Sequence, residues 1–566
     1  MRARGVSRRA WLAAAAALAA CGRRGGQARG TCPPGQGLLV VRGGTILTGD
    51  PAAPETGALA AAGGQVVALG AEAEALARTC PVDQVIDLAG GCAVPGLTDA
   101  HAHLGGLGVS LAQVDLRGAR SVEEVVDRLR RGAPAEGWIV GRGWDQNLWP
   151  GAAMPTHDAL TAAFPDRPVW LRRVDGHAGW ANLAALRAGQ VTAATPVPTG
   201  GEILLRDGPQ GREPTGVLVD AAMGLVPVPP LPASELRRSL LLAQEHVLAR
   251  GLVGVHEMGV GREADAALRA LDAEGLLKIR VVGYADEDWF ASGQGFPDMP
   301  DRAGADGRYQ LVGVKLYVDG ALGSRGAALL EPYADRPGHT GMLQHPPGRL
   351  EELVARALGR GVQVAAHAIG DAAIRRLLGA LEAASPQGPA RDPRLRVEHA
   401  QIVDLADIPR FKALGAVASM QPTHATSDMA WVPARLGADR LAGAYAWRRF
   451  LQAGVPLAFG SDFPVEEADP TFGLYSAITR QDPEGQPPGG WLPDQRLTLA
   501  EALAAFTRGA AFAAHREDRH GTLAPGMSAD LTCFAGDLRE MAPAQLRTAA
   551  VTATIVGGAQ AWSRAR

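Results

Sequence analysis

No block of basic residues lies outside the N-terminus. Lysine plus arginine (56) nearly balance aspartate plus glutamate (59), for a net charge of -3. A nucleic-acid surface needs a concentrated positive field, so nothing electrostatic argues for that partner. No short period recurs among the 72 glycines and abundant alanines, which argues against solenoid and collagen-like architectures. No Cys-x-x-Cys or Cys/His cluster is present, so a structural zinc site has no sequence support. The Ala/Leu run that ends at Ala20 is shorter than the ~20 residues a spanning helix needs. Hydrophobic residues still make up 47% of the chain, enough for a large core.

That apolar run suits an export signal. Ser7-Arg8-Arg9-Ala10-Trp11-Leu12 resembles a twin-arginine signal, used for substrates exported already folded. Leu18-Ala19-Ala20-Cys21 resembles a bacterial lipobox, which would make Cys21 the lipidated first residue of the mature protein. The alternative is a plain cleaved signal. The expectation is an export signal at 1–21, a flexible tether at 22–36, and a periplasmic or cell-surface lipoprotein anchored to the membrane through Cys21. Cys32, Cys80, Cys92 and Cys533 remain, and four cysteines allow three full pairings. In an oxidising compartment a Cys32–Cys80 bridge is one option, and four free thiols are another.

Short apolar runs broken by Gly and Asp fill 37–94, and a second strand-like set lies within 520–566. Together they predict a small β-sandwich built from both chain ends. Between them, 95–519 alternates apolar strands with amphipathic helices, which predicts parallel β/α architecture. Eight candidate strands lie at 96–104, 253–258, 279–284, 310–320, 362–371, 395–402, 416–422 and 456–464. Eight such units make an α/β fold of the (β/α)8 TIM-like barrel type. Roughly 150 residues separate the first two strands, far more than a βα connection uses. About 106–250 is therefore expected to be an inserted subdomain. It holds Trp138, Trp144, Trp149, Trp170 and Trp180, residues suited either to a pocket lid or to a core of its own.

Barrel active sites lie at the C-terminal strand ends. The first strand ends in Asp99, His101 and His103, and strand alternation puts 101 and 103 on one face. The fourth strand carries Lys315, the fifth ends at His367, the sixth at His399 and the eighth at Asp462. Each alone is a weak signal, because a strand-end His is often a hydrogen-bonded core residue. Jointly they form a set of nitrogen and oxygen donors suited to Zn²⁺.

The stretches VPGLTDAHAHL (94–104), GVKLYVDGALGSRGAAL (313–329), AAHAIGDAAI (365–374), RVEHAQIV (396–403) and FGSDFPVE (459–466) resemble the amidohydrolase superfamily. The branch is amidohydrolase family 3, which includes N-substituted formamide deformylases, and the resemblance covers about residues 38–560. It implies a metal-dependent hydrolase of carbon–nitrogen bonds in amide, N-formyl or cyclic amide substrates. His101, His103 and Asp462 would bind one metal, and His367 and His399 a second. Lys315, N6-carboxylated, would bridge the two, and zinc is the expected metal. Asp462 would also move a proton between the attacking water and the leaving amine. Asp99 would orient a ligand histidine. His177, Trp144 and Arg325 are candidates for contact with a small-molecule substrate, with a salt bridge the competing role for Arg325. Asp371 suits a helix cap, His256 ends a strand that carries no ligand in the family, and Gln401 and His424 are open to the pocket without an assigned role. A homodimer is compatible with the resemblance.

Two other functions compete. A mononuclear deaminase of the same superfamily places a catalytic Glu just after the fifth-strand His, whereas His367 is followed by Ala-Ile-Gly-Asp. A retired, lipid-anchored binding protein would have lost a ligand, whereas all six positions are intact.

Overall fold

The computed structural model describes residues 32–134, 136–173, 178–198, 201–209, 211–229, 232–297, 307–384 and 392–565. The export signal, Cys21, tether residues 22–31 and His177 lie outside them.

The eight expected strands all form. They are β1 (Leu97–Ala102), β2 (Leu252–Val260), β3 (Arg280–Ala285), β4 (Tyr309–Tyr317), β5 (Gln363–Ala368), β6 (Arg396–His399), β7 (Val417–Met420) and β8 (Leu457–Phe459). They pair in chain order as one parallel sheet. Two backbone bonds join its ends: Asp462 N–H donates to His101 O (2.8 Å) and His103 N–H to Phe463 O (2.9 Å). The strands are buried on both faces because one side fills the barrel and the other meets helices. In β4 every residue but Tyr317 is buried. The helix Arg349–Gly359 shows the complementary pattern, burying Leu350, Leu353, Val354 and Ala357 and placing Glu351 and Glu352 in its first turn, where the helix dipole favours them.

The chain ends hydrogen-bond into one continuous eight-stranded sheet. Leu38–Leu47 pairs with Glu55–Ala62 and with Cys92–Pro95, which in turn pairs with Leu531–Phe534 from the far end. The sheet curls so that Leu59 and Val66 share a core with Leu531 and Ile555. Cys32 and Cys80 form a disulfide, while Cys92 and Cys533 are buried free thiols.

A six-stranded sheet running from Val114–Asp115 to Gly211–Asp220 occupies the middle of the expected insertion. The flanking helices Leu104–Ala112 and Ala233–Leu248 contribute Leu107, Leu240 and Ala243 to the barrel core instead. Trp144, Trp149 and Trp180 form a triangle with ring centroids 5.9–6.0 Å apart in the core of this sheet. The expected substrate contact by Trp144 is therefore corrected. Its ring is fully buried, and its indole N–H donates to Leu171 O at 3.0 Å, so neither reaches a substrate. No helix of the described residues is long and apolar enough to cross a membrane.

Candidate metal centre

Strand pairing gathers the candidate ligands. Parallel register sets Tyr317 beside His367, and Ala368 beside His399. The His101 and His399 ring centroids are 4.7 Å apart, and those of His367 and His399 are 4.5 Å apart. Asp462 Oδ1 lies 3.0 Å from His103 Nε2 and 3.5 Å from His101 Nε2. Among the described residues, His101, His399 and Asp462 each offer a ligand atom within 4.8 Å of the others. Lys315 is 1% exposed, with Nζ 4.7 Å from the Tyr317 ring centroid. His399 (φ 73°) and Asp462 (φ 62°) adopt left-handed backbone, which costs a non-glycine residue about 1–3 kcal/mol and is typical of functional positions.

The outer nitrogens of two imidazoles are fixed. His101 Nδ1–H donates to Glu398 Oε2 at 2.6 Å, and His399 Nδ1–H donates to Gln421 Oε1 at 2.9 Å. Both Nε2 lone pairs are thereby free for a metal, and His101 Nε2 is buried with no hydrogen-bond partner. His367 Nε2 lies 3.4 Å from Gly320 O and 3.5 Å from Asp319 Oδ1.

Below the site lies a buried charge network. Arg396 is fully buried and donates to Glu398 Oε1 (2.7 Å), His256 Nδ1 (2.8 Å), Tyr284 Oη (3.0 Å) and Ser419 Oγ (3.1 Å). Burial alone would raise the Glu398 carboxyl, but Arg396 and the His101 hydrogen bond hold it well below the usual carboxylate range. Burial pushes His101 down to about 4 and His367 to about 3, in each case with help from Lys315. Burial also holds His399 well below its ordinary value, with the His367 and His101 rings adding to the effect. These three imidazoles are neutral near pH 7, the state a metal requires. Burial would lower His103 as well, but its hydrogen bond to Asp462 outweighs this and raises it. Lys315 is pushed by burial down to about 8.

Two sequence expectations change. Asp99 holds backbone and a hydroxyl, not an imidazole: it accepts from His101 N (3.0 Å), Ser461 N (3.1 Å) and Ser461 Oγ (2.7 Å). Glu398 supplies the orienting carboxylate in its place. Arg325 is turned to Asp335, with Nε at 3.0 Å and Nη2 at 2.8 Å, and Arg435 pairs with the same carboxylate. Its charge is met by Asp335, the salt bridge that competed with a substrate contact. Asp319 accepts from Ala328 N (2.8 Å), Ile369 N (3.0 Å) and Gly370 N (2.9 Å), tying together the loops after β4 and β5. Asp371 caps as expected, accepting from Leu330 N (2.8 Å) and Ala372 N (3.0 Å). Sequence reasoning missed Glu398, Arg396 and Gln421. The available signal was the period-2 alternation in Arg396-Val397-Glu398, which aims both charges at the barrel interior.

The donor set fits a divalent metal: neutral imidazoles with oriented free nitrogens, a buried unpartnered Nε2 and a carboxylate held ionised. Burial would raise Asp462, but the His101 and His103 imidazoles keep it well below its usual range. Comparison with known proteins agrees. The amidohydrolase family profile matches residues 84–561. The putative amidohydrolase YtcJ of Bacillus subtilis (strain 168) is 33% identical over 493 residues, 84% of this chain and 90% of the relative. The N-substituted formamide deformylase of Arthrobacter pascens is 30% identical over 526 residues, 90% of this chain and 95% of the relative. An uncharacterized metal-dependent hydrolase from Pyrococcus horikoshii OT3 superposes with a TM-score of 0.74 at 30% identity, covering 87% of this chain and 96% of that one. A barrel of this topology, with these donors at its strand ends and these relatives along nearly its whole length, makes the chain a member of the amidohydrolase family and a metal-dependent hydrolase.

Proposed function

We propose that this hydrolase cleaves carbon–nitrogen bonds of amides, N-formyl amines or cyclic ureides. The observation that carries the reading is the convergence of His101, His399 and Asp462 within 4.8 Å, with His101 Nε2 buried and unpartnered. The deformylase name of one relative supports N-formyl substrates as the first to test.

Two zinc ions are the proposed cofactors, one held by His101, His103 and Asp462 and the other by His367 and His399. Zinc at such a site polarises a carbonyl and makes water acidic enough to attack it near neutral pH. Lys315, N6-carboxylated, would help hold the two ions. Its burial favours the neutral amine, which can add CO2 and release a proton to give an anionic carbamate. Asp462 takes the water's proton at Oδ2, because Oδ1 faces His101 and His103, and returns it to the leaving amine. Export and lipid anchoring through Cys21 remain part of the proposal, and the Cys32–Cys80 disulfide supports an oxidising compartment.

The test is elemental analysis of the purified protein, followed by a screen of N-formyl, N-acyl and cyclic ureide compounds. About two zinc equivalents per chain and turnover in one of these classes are expected. A metal-free protein with full hydrolytic activity overturns the reading.

A further inference from the structure

Another imidazole stands beside the metal centre, on the helix Pro422–Asp428 that follows β7. His424 is 8% exposed, and its Nε2 is buried without a hydrogen-bond partner. The ring stacks on His399, with centroids 6.1 Å apart and planes at 16°. Nε2 lies 3.8 Å from Asp462 Oδ2, too far for a hydrogen bond to a residue already turned to His101 and His103. On the opposite edge, Gln401 Nε2 lies 3.3 Å from His424 Nδ1. An amide nitrogen only donates, so Nδ1 accepts, which leaves the ring N–H at Nε2. A protonated Nε2 has no lone pair for a metal. It is an N–H donor held at the site with nothing to bind, and leaving such a donor unsatisfied costs stability.

We propose that the His424 Nε2–H group donates a hydrogen bond to the oxygen of the scissile carbonyl, and that Gln401 is the positioning residue that fixes this tautomer. The inference rests on the hydrolase reading above. The bond strengthens as carbonyl addition transfers negative charge to that oxygen, so it favours the transition state over bound substrate. Gln401 follows the ligand His399 by two residues, so the end of β6 carries both a metal ligand and the support for the donor.

The test uses the metal-loaded protein and whichever carbon–nitrogen substrate the screen returns. It compares wild type, His424→Ala, His424→Gln and Gln401→Glu for kcat, KM and metal per chain. His424→Ala is expected to lose about 10²–10³ in kcat, the usual effect of removing one such donor, with KM and metal content near wild type. His424→Gln keeps an N–H donor and recovers part of the loss. Gln401→Glu accepts from Nδ1–H, turns Nε2 into an acceptor and falls towards the His424→Ala rate. If His424→Ala folds poorly, His424→Gln and Gln401→Glu carry the test. Wild-type kcat in His424→Ala, loss of a metal from it, or wild-type kcat in Gln401→Glu each overturns the inference while leaving the hydrolase reading intact. A metal-loaded wild type that turns over no carbon–nitrogen substrate overturns both.

Discussion

Replacing Glu398 by Gln keeps the side chain's volume and removes one charge from a fully buried pair with Arg396. Two separable losses follow. Arg396 loses its counter-charge inside the barrel, and breaking a buried pair this way costs about 3–5 kcal/mol. Bonds to Tyr284 (3.0 Å) and Ser419 (3.1 Å) remain, which places the expected loss near the lower end. His101 also loses a charge-assisted partner at 2.6 Å, and metal affinity should fall about 10–100-fold, as it does when such orienting groups are altered. Denaturant unfolding of the chelator-treated protein measures the first loss, and competition with a chromophoric chelator measures the second. Replacing Arg396 and Glu398 together by Met removes both charges, so stability should return towards wild type while metal affinity stays low. The effect also depends on pH. Glu398 is held below its ordinary 4.5, so at acid pH the folded state binds fewer protons than the unfolded chain. Its stabilisation is full above about 4.5 and fades as pH falls, so the gap between wild type and Glu398→Gln should narrow in acid. An E398Q protein that unfolds at the wild-type denaturant concentration refutes the pair's structural role. A double Met variant with wild-type metal affinity refutes the orienting role.

Lys315→Ala should abolish hydrolysis, and short carboxylates added in solution should restore part of it, while an unaffected variant would point to a single metal. Lys278, Lys315 and Lys412 are the chain's three lysines, so ¹³C-bicarbonate labelling should show a carbamate signal that Lys315→Ala removes. Trp144→Ala should destabilise the protein by about 3–5 kcal/mol through the cavity it leaves, with KM unchanged, as thermal unfolding and steady-state kinetics would show. Arg325→Ala breaks a partly exposed ion pair and should cost no more than about 1 kcal/mol, again with KM unchanged. A raised KM in either variant would return that side chain to the substrate site.

The barrel was legible because its signal is local. Each strand is a short apolar run closed by Gly, Asp or His, and alternation alone puts His101 and His103 on one face. The candidate metal donors could be picked out from their position at strand ends, supported by the family resemblance, and the fold brings His101, His399 and Asp462 together. What escaped depends on partners remote in sequence. Trp144 looked available because nothing near it in the chain shows that its N–H is taken by Leu171 or that Trp149 and Trp180 close over it. For Arg325 the sequence left a substrate contact and a salt bridge both open, because the loop that brings Asp335 to it has no period to read. Glu398 lies 297 residues from His101, and only ring closure of the barrel brings them to 2.6 Å.

Barrel closure and the metal site are the same piece of structure. Asp99 in β1 accepts from both the N–H and the hydroxyl of Ser461, which follows β8, while Asp462 N–H donates to His101 O and His103 N–H to Phe463 O. The bonds that seal the first strand to the last therefore run through the same residues that are proposed to supply three of the donors. Asp99 lies deep enough that burial pushes its carboxyl up to about 7, a destabilising position offset by the bonds it accepts. A chain that closed its barrel out of register would misplace His101, His103 and Asp462 together. The ability to hold metal at this site is thus a direct report of whether the first and eighth strands have joined correctly.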